Sequence, residues 1–169
     1  MAQKSIFDYF GLKTAFVVDE EALEAGYVTM IKKMHPDLFA SRPAAERRVA
    51  EQWSARLNEA YATIKDPVRR ATYLCEAAGY DVGAEKNTAM PMDFLMTQMR
   101  WREMLDGHAD DEAVMEKLRA ECDAEAASLL EGLAKAIDTD RQYDRAVELT
   151  RKLMFVEKFQ HQLKKKEQH

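Results

Sequence analysis

The sequence predicts an all-α chain in two parts, an antiparallel helix pair followed by a three-helix bundle. Three observations carry that expectation. Apolar residues recur at three- and four-residue intervals over long stretches, the spacing of a one-sided helix. Pro36, Pro43, Pro67 and Pro91, with Gly11, Gly79 and Gly107, stand at the edges of those stretches, where helices start and stop. The connections between stretches are short, which folds successive helices back on one another.

A chain of 169 residues suits one domain or two small ones. Its 47% hydrophobic content is enough for a core, and 33% charged residues solvate the surface. Residues 1–75 carry a net charge of +1 and residues 76–169 a net charge of −6. Neither half offers the concentrated basic face that nucleic acid requires. No apolar run is long enough to span a membrane, and Met1 to Phe10 has neither a signal-peptide h-region nor Arg-rich transit character. Cytoplasm is the expected location. Cys75 and Cys122 stand far apart, without a Cys-x-x-Cys pair, and read as reduced core thiols. No cofactor and no metal site is expected, because no ligand cluster with suitable spacing is present.

In order, Ser5 to Leu12 reads as a short aromatic helix with Phe7 and Phe10 on one face. Asp19 is the expected N-cap of the next helix, with Glu20 and Glu21 in its first turn. That helix carries Leu23, Tyr27, Met30, Ile31 and Met34 on its apolar stripe and ends at His35-Pro36-Asp37. The residue before a proline is pushed out of the α region, and proline itself donates no amide. His35 and Asp37 are therefore expected on a stiff exposed loop. As a plain helix stop this triplet is ordinary; between two helices that pack together, it is also a good device for touching another protein. Lys32 and Lys33 lie off the stripe, where they complement the helix dipole or form a basic contact face beside the loop. Phe39 is expected to fold back and stiffen the tip. Pro43 suits the first position of the following helix, whose stripe is Val49, Trp53, Leu57, Ala60, Tyr61 and Ile64. A short helix from Val68 to Ala78 stops at Gly79.

Residues Tyr80 to Met90 read as a connector. Pro91 then opens a helix to about Asp106, with Phe94, Trp101 and Leu105 on one face. A second helix starts at Asp110 and buries Met115, Leu118, Cys122, Ala126, Leu129, Leu133 and Ile137. Thr139 and Gln142 are a candidate capping box for the last helix. Its stripe is Ala146, Leu149, Leu153, Val156 and Leu163. This bundle has more apolar residues than one stripe per helix can use: Leu95, Met96 and Met99 point away from the first helix's core face, and Phe155 lies off the last helix's stripe. Apolar residues left outside a core mark a partner surface, unless a wider core takes them in.

A short aromatic helix, a longer helix with basic residues near its end, His-Pro-Asp and an apolar-striped helix together resemble a J domain. The segments HPDLFAS, DPVRRATYL, FLMTQMRWREML and RKLMFVEKF, in that order, resemble the HscB-type co-chaperones of iron–sulfur cluster assembly over essentially the whole chain. The resemblance implies a J domain at residues 1–78, a linker at 79–90 and a three-helix scaffold-binding bundle at 91–169. It implies that His35, Pro36, Asp37, Lys32 and Lys33 engage an HscA/DnaK-type chaperone ATPase. It implies that Leu95, Met96, Met99, Arg100, Glu103 and Phe155 bind an IscU-type iron–sulfur scaffold. No membrane and no nucleic acid is implied as a partner, and no catalysis by the chain itself. Leu38 stands where many members carry a basic residue, and Arg100 where acidic side chains are familiar.

Overall fold

The computed structural model describes residues 5–83 and 90–167, and among these the regular structure is helical throughout. The chain forms two compact units, Met1–Tyr73 and Leu74–His169.

In the first unit, Ser5 to Leu12 forms a tighter and shorter element than expected, a 3-10 turn over Ile6–Phe10. The Ser5 hydroxyl accepts the Phe7 amide and the Asp8 carboxylate accepts the Ser5 amide, while Gly11 ends the turn. Five residues are too few to repay α-helix nucleation, so local caps decide the geometry. Helix α1 spans Glu20–Met34, α2 spans Ala44–Lys65 and α3 spans Pro67–Ala77. Asp19 caps α1 as expected, its Oδ1 accepting the amides of Glu21 and Ala22. Pro43 sits one position earlier than expected, as the N-cap of α2. A Cβ at Gly26 of α1 would lie 2.5 Å from the Phe10 carbonyl oxygen. Only glycine lets the aromatic turn seat on α1 at that point, which offsets its cost of about 1 kcal/mol in a helix interior.

Cross-helix contacts fix α1 and α2 as antiparallel. Ser54 pairs with Met34, Asn58 with Tyr27, and Lys65 with Glu24. Tyr27 and Tyr61 stack with centroids 4.3 Å apart. The Tyr61 hydroxyl, and after it the Lys65 ammonium, hold the Glu24 carboxyl below its usual value. Phe7, Phe16, Leu23, Leu57, Ile64 and Ala71 are buried, whereas Tyr27, Met30, Ile31, Met34 and Trp53 are only half-buried. The core therefore thins toward the His35 end. Val49 departs from the expected stripe: it is 50% exposed and Ala50 is buried instead. Seven residues separate Ala50 from Leu57, nearly two whole turns, whereas the eight from Val49 carry it onto another face.

In the second unit, the final turns of α3 bury Leu74 and Cys75. Gly79, at φ 92°, closes the helix with the Tyr80 amide donating to the Cys75 carbonyl. The expected connector 79–90 is partly packed. Tyr80 stacks on Tyr143, and buried Val82 accepts at its carbonyl from Arg151 Nε at 2.9 Å; residues 84–89 lie outside the described residues. Helices α4 (Met92–Gly107), α5 (Glu112–Ala134) and α6 (Tyr143–Glu167) complete the unit. Gln160 of α6 donates to Asp123 of α5, and Leu149 lies over Gly132. The α6 numbers fall as the α5 numbers rise, so that pair is antiparallel. Phe94 meets Phe155 and Trp101 meets Phe159, so α4 and α6 run the same way. The result is the expected up-down-up bundle.

The expected α5 and α6 stripes are buried, except that Ala126 is half-buried; Thr150 and Phe159 join the core. Thr139 and Gln142 do not form the expected capping box. Thr139 ends a π turn over Lys135–Thr139, Arg141 takes a φ of 52°, and α6 begins only at Tyr143. Burying Ala136 and Ile137 draws the chain on past the point where α5 would otherwise stop. Burial pushes the Cys75 thiol up to about 11 and the Cys122 thiol up to about 12. Because these folded values lie above the ordinary thiol value, both groups favour the folded state below about pH 9 and oppose it as pH rises through them. Alkylation by iodoacetamide at pH 8 is expected to be at least ~100-fold slower in the native protein than in denaturant, since thiolate is the nucleophile. Equal rates would show that the thiols are not held in the core.

Candidate functional site

Each unit presents a surface that its own packing leaves exposed. In the first unit, the end of α1 is set by proline chemistry. His35 adopts φ −63° and ψ 132°, the extended conformation that a following proline imposes. The next four residues are more ordered than a loop: Pro36–Phe39 form a 3-10 turn capped by His35 itself. The Asp37 amide donates to His35 Nδ1 at 3.1 Å. An Nδ1 that accepts a hydrogen bond carries no proton, so the imidazole N–H is on Nε2. The Asp37 carboxylate is 3.5 Å from that same Nδ1, which is proximity and not an ion pair while Nδ1 is an acceptor. The Asp37 side chain is 91% exposed. A ring edge and a carboxylate are thus held outward by a turn whose first dihedral is locked.

Lys32 and Lys33 are exposed on the last turn of α1, and Phe39 is half-buried. Arg47 and Arg48, exposed in the first turns of α2, add positive charge that the apolar stripes did not reveal. Their position just after Pro43 was the available signal. Leu38 is exposed beside Asp37, so the turn also presents an apolar side chain.

In the second unit, α4 divides cleanly by helical phase. Phe94, Trp101 and Leu105 are buried, while Leu95, Met96 and Met99 are 38%, 62% and 64% exposed. Phe155 on α6 is 46% exposed and meets Phe94 edge-on, with centroids 6.5 Å apart. Met96, Met99, Arg100 and Glu103 line one shallow depression together with Thr97. Phe155 does not line it. It lies between two other grooves, one shared with Gln98 and Arg102 and the other with Met90 and Met154. Leu95 is one turn from both Gln98 and Met99, so it lies between Phe155 and the depression. The six residues therefore form a band around the outer side of α4, not a single pocket.

Arg100 is not loose on this band. Its Nη1 donates to Glu121 Oε2 at 2.8 Å, and the same oxygen accepts Trp101 Nε1 at 3.2 Å. One α5 carboxylate thereby fixes the polar end of the band to the core tryptophan. Met92 and Met154, which the sequence did not single out, are exposed at the band's margins. Met92 shares a face with Met96 and Met99 at four- and seven-residue spacing, a signal that could have found it. Methionine side chains are flexible and polarisable, which suits contact with an adaptable partner.

Among the described residues, no group of three His, Cys, Asp or Glu side chains is placed to hold a metal ion, and no helix is long and apolar enough to cross a membrane. The exposed turn of the first unit and the apolar band of the second are both surfaces suited to binding.

Comparison with known proteins places these surfaces in context. Residues 90–164 match the family described as HSCB C-terminal oligomerisation domain. The chain is 45% identical over 163 residues to the co-chaperone protein HscB homolog of Bordetella avium, covering 96% of this chain and 97% of that protein. Against the HscB homolog of Bordetella petrii the identity is 47%, with 96% of each chain covered. Its structure is similar to chaperone HscB from Vibrio cholerae, with a TM-score of 0.86, 31% identity and 98% of each chain covered. It is also similar to human co-chaperone protein HscB, with a TM-score of 0.90, 25% identity, and 97% of this chain and 82% of that chain covered.

Proposed function

The chain belongs to the HscB family of co-chaperones, and from that premise we propose that it carries an IscU-type iron–sulfur scaffold to an HscA/DnaK-type chaperone and stimulates that chaperone's ATPase. The J domain, residues 1–78, offers His35, Pro36 and Asp37 as the stimulating turn, with Lys32 and Lys33 as its electrostatic contacts. After a linker at residues 79–90, the bundle at 91–169 offers Leu95, Met96, Met99 and Phe155 as an apolar centre with Arg100 and Glu103 at the polar rim, the usual anatomy of a protein interface. The protein works in the cytoplasm by binding, not by catalysis. Holding the scaffold on one unit while the other docks raises the scaffold's effective concentration at the chaperone, which favours its capture and cluster transfer.

The observation that carries this reading is that each unit leaves a distinct set of side chains exposed outside its core: a rigid polar turn in one, an apolar band in the other. The deciding experiment is steady-state ATP hydrolysis by an HscA-type chaperone, measured with this protein alone and with scaffold added. Stimulation that rises further with scaffold supports the reading; no stimulation in either case would remove it.

A second reading keeps the J domain but gives the band another client. Arg100 favours it, because a guanidinium fixed by Glu121 puts positive charge where acidic side chains are familiar in the family. Affinity capture separates the two: recovery of an iron–sulfur scaffold supports the first, recovery of other proteins without it supports the second.

Chaperone affinity is expected to fall severalfold between low salt and about 0.3 M salt, because exposed charges are screened over a Debye length of under ~10 Å. The double change Lys32→Ala, Lys33→Ala should remove most of that dependence. An affinity indifferent to salt in the unaltered protein would show that the two lysines make no charge contact.

A further inference from the structure

Ser54 is the exception among the serine and threonine hydroxyls inside the α-helices of this protein whose hydrogen bonds are described. Thr29, Thr63, Thr97 and Thr150 each donate to the carbonyl four residues back in their own helix. That is the ordinary local option for a hydroxyl inside a helix. Ser54, in the middle of α2, instead donates across to the Met34 carbonyl of α1 at 2.9 Å, in a partly buried contact.

Met34 is the last residue of α1 and the one immediately before His35. A helix leaves its final carbonyls without intrahelical donors. Here the shortage is built in by the sequence. Pro36 has no N–H, the Asp37 amide is taken by His35 Nδ1, and the Leu38 amide, which would serve Met34 in a continuing helix, donates to the His35 carbonyl. The Ser54 hydroxyl supplies a donor at the residue from which the exposed turn departs. The other cross-helix contacts, Asn58 with Tyr27 and Lys65 with Glu24, lie progressively farther from the turn.

We infer that Ser54 is a positioning residue for the His35-Pro36-Asp37 turn: its hydroxyl clamps the end of α1 to α2 and sets the direction in which His35 and Asp37 are presented. It touches no partner. The inference rests on the proposed engagement of this turn with a chaperone ATPase. Without the clamp the presented geometry is one of several, and apparent affinity falls by the fraction that remains competent, while the bound state is unchanged.

The test titrates the full chain into an HscA-type chaperone and reads ATP hydrolysis as a half-maximal concentration and a plateau. For Ser54→Ala the half-maximal concentration should rise about fivefold, the scale of one net hydrogen bond, with the plateau preserved. Ser54→Thr keeps the hydroxyl and should titrate like the unaltered protein. Asn58→Ala breaks a contact of the same helix pair away from the turn and should also titrate like it. In His35→Gln the plateau itself should be lost. A Ser54→Ala titration identical to the unaltered protein overturns the inference, as does an equal shift in Asn58→Ala or a Thr variant as impaired as Ala. Loss of stimulation in the unaltered protein would instead strike the functional reading. A chaperone-free measurement then still decides the role of Ser54: hydrogen exchange at the Asp37 and Leu38 amides should speed up about fivefold in Ser54→Ala. Unchanged exchange overturns the positioning role whatever the ATPase assay gives.

Discussion

His35→Gln is expected to reduce chaperone ATPase stimulation by at least ~10-fold while the protein stays folded and its scaffold affinity is unchanged. Two properties of the turn lead to this outcome. The imidazole is the cap: Nδ1 receives the Asp37 amide at 3.1 Å, and Gln has no rigid ring acceptor at that distance from its backbone. Removing a cap costs about 1 kcal/mol locally. The contact surface is lost as well, because the Nε2–H edge disappears and the Asp37 carboxylate is no longer oriented beside it. Truncating a contact that must form in the stimulated complex costs about 2–5 kcal/mol, which is more than tenfold in rate. Folding is spared because the His35 side chain is half exposed and lies where the core is thinnest. Steady-state ATPase titration, circular dichroism and scaffold binding, measured on the same preparation, decide it. Stimulation equal to that of the unaltered protein would end the assignment of this turn.

The triple change Leu95→Ala, Met99→Ala, Phe155→Ala should weaken scaffold binding by about 2–4 kcal/mol, roughly thirtyfold or more, because apolar anchors carry most of an interface's energy. Its stability cost should be small, about 1–2 kcal/mol in total, since each residue is substantially exposed and Ala suits a helix. Leu153→Ala provides the scale for comparison. Leu153 is 1% exposed in the same bundle, and that single change should cost about 2–5 kcal/mol by opening a cavity. Scaffold affinity by calorimetry and melting by circular dichroism separate the cases. A triple variant that melts as early as Leu153→Ala would mean that the band belongs to the core and that its exposure is not what binds.

These two surfaces were legible in the sequence to different degrees. The turn was legible because its cause is local: proline dictates the conformation of His35 and withholds its own amide wherever the chain carries it. The band was legible as excess, since Met96 and Met99 could not share a face with Phe94 and Trp101. Met92 and Met154 were missed because neither breaks a stripe conspicuously. Val49 was misplaced because a one-residue error in phase moves a side chain by about a quarter-turn. The proposed capping box at Thr139 was a reasonable local motif, and it lost to burial of Ala136 and Ile137, which carry the chain through a π turn first.

By itself the sequence determined the helices, most of their buried faces, the stop at His35 and the family resemblance, because caps, prolines and apolar spacing act within a few residues. Only the tertiary structure decided that Ser54 reaches the end of α1, that Glu121 fixes Arg100 to Trp101, and that Phe155 and the α4 methionines form a band and not one pocket. Each of those contacts joins residues some twenty or more apart. Sequence spacing specifies which face a residue occupies; which partner meets that face depends on how the helices are packed.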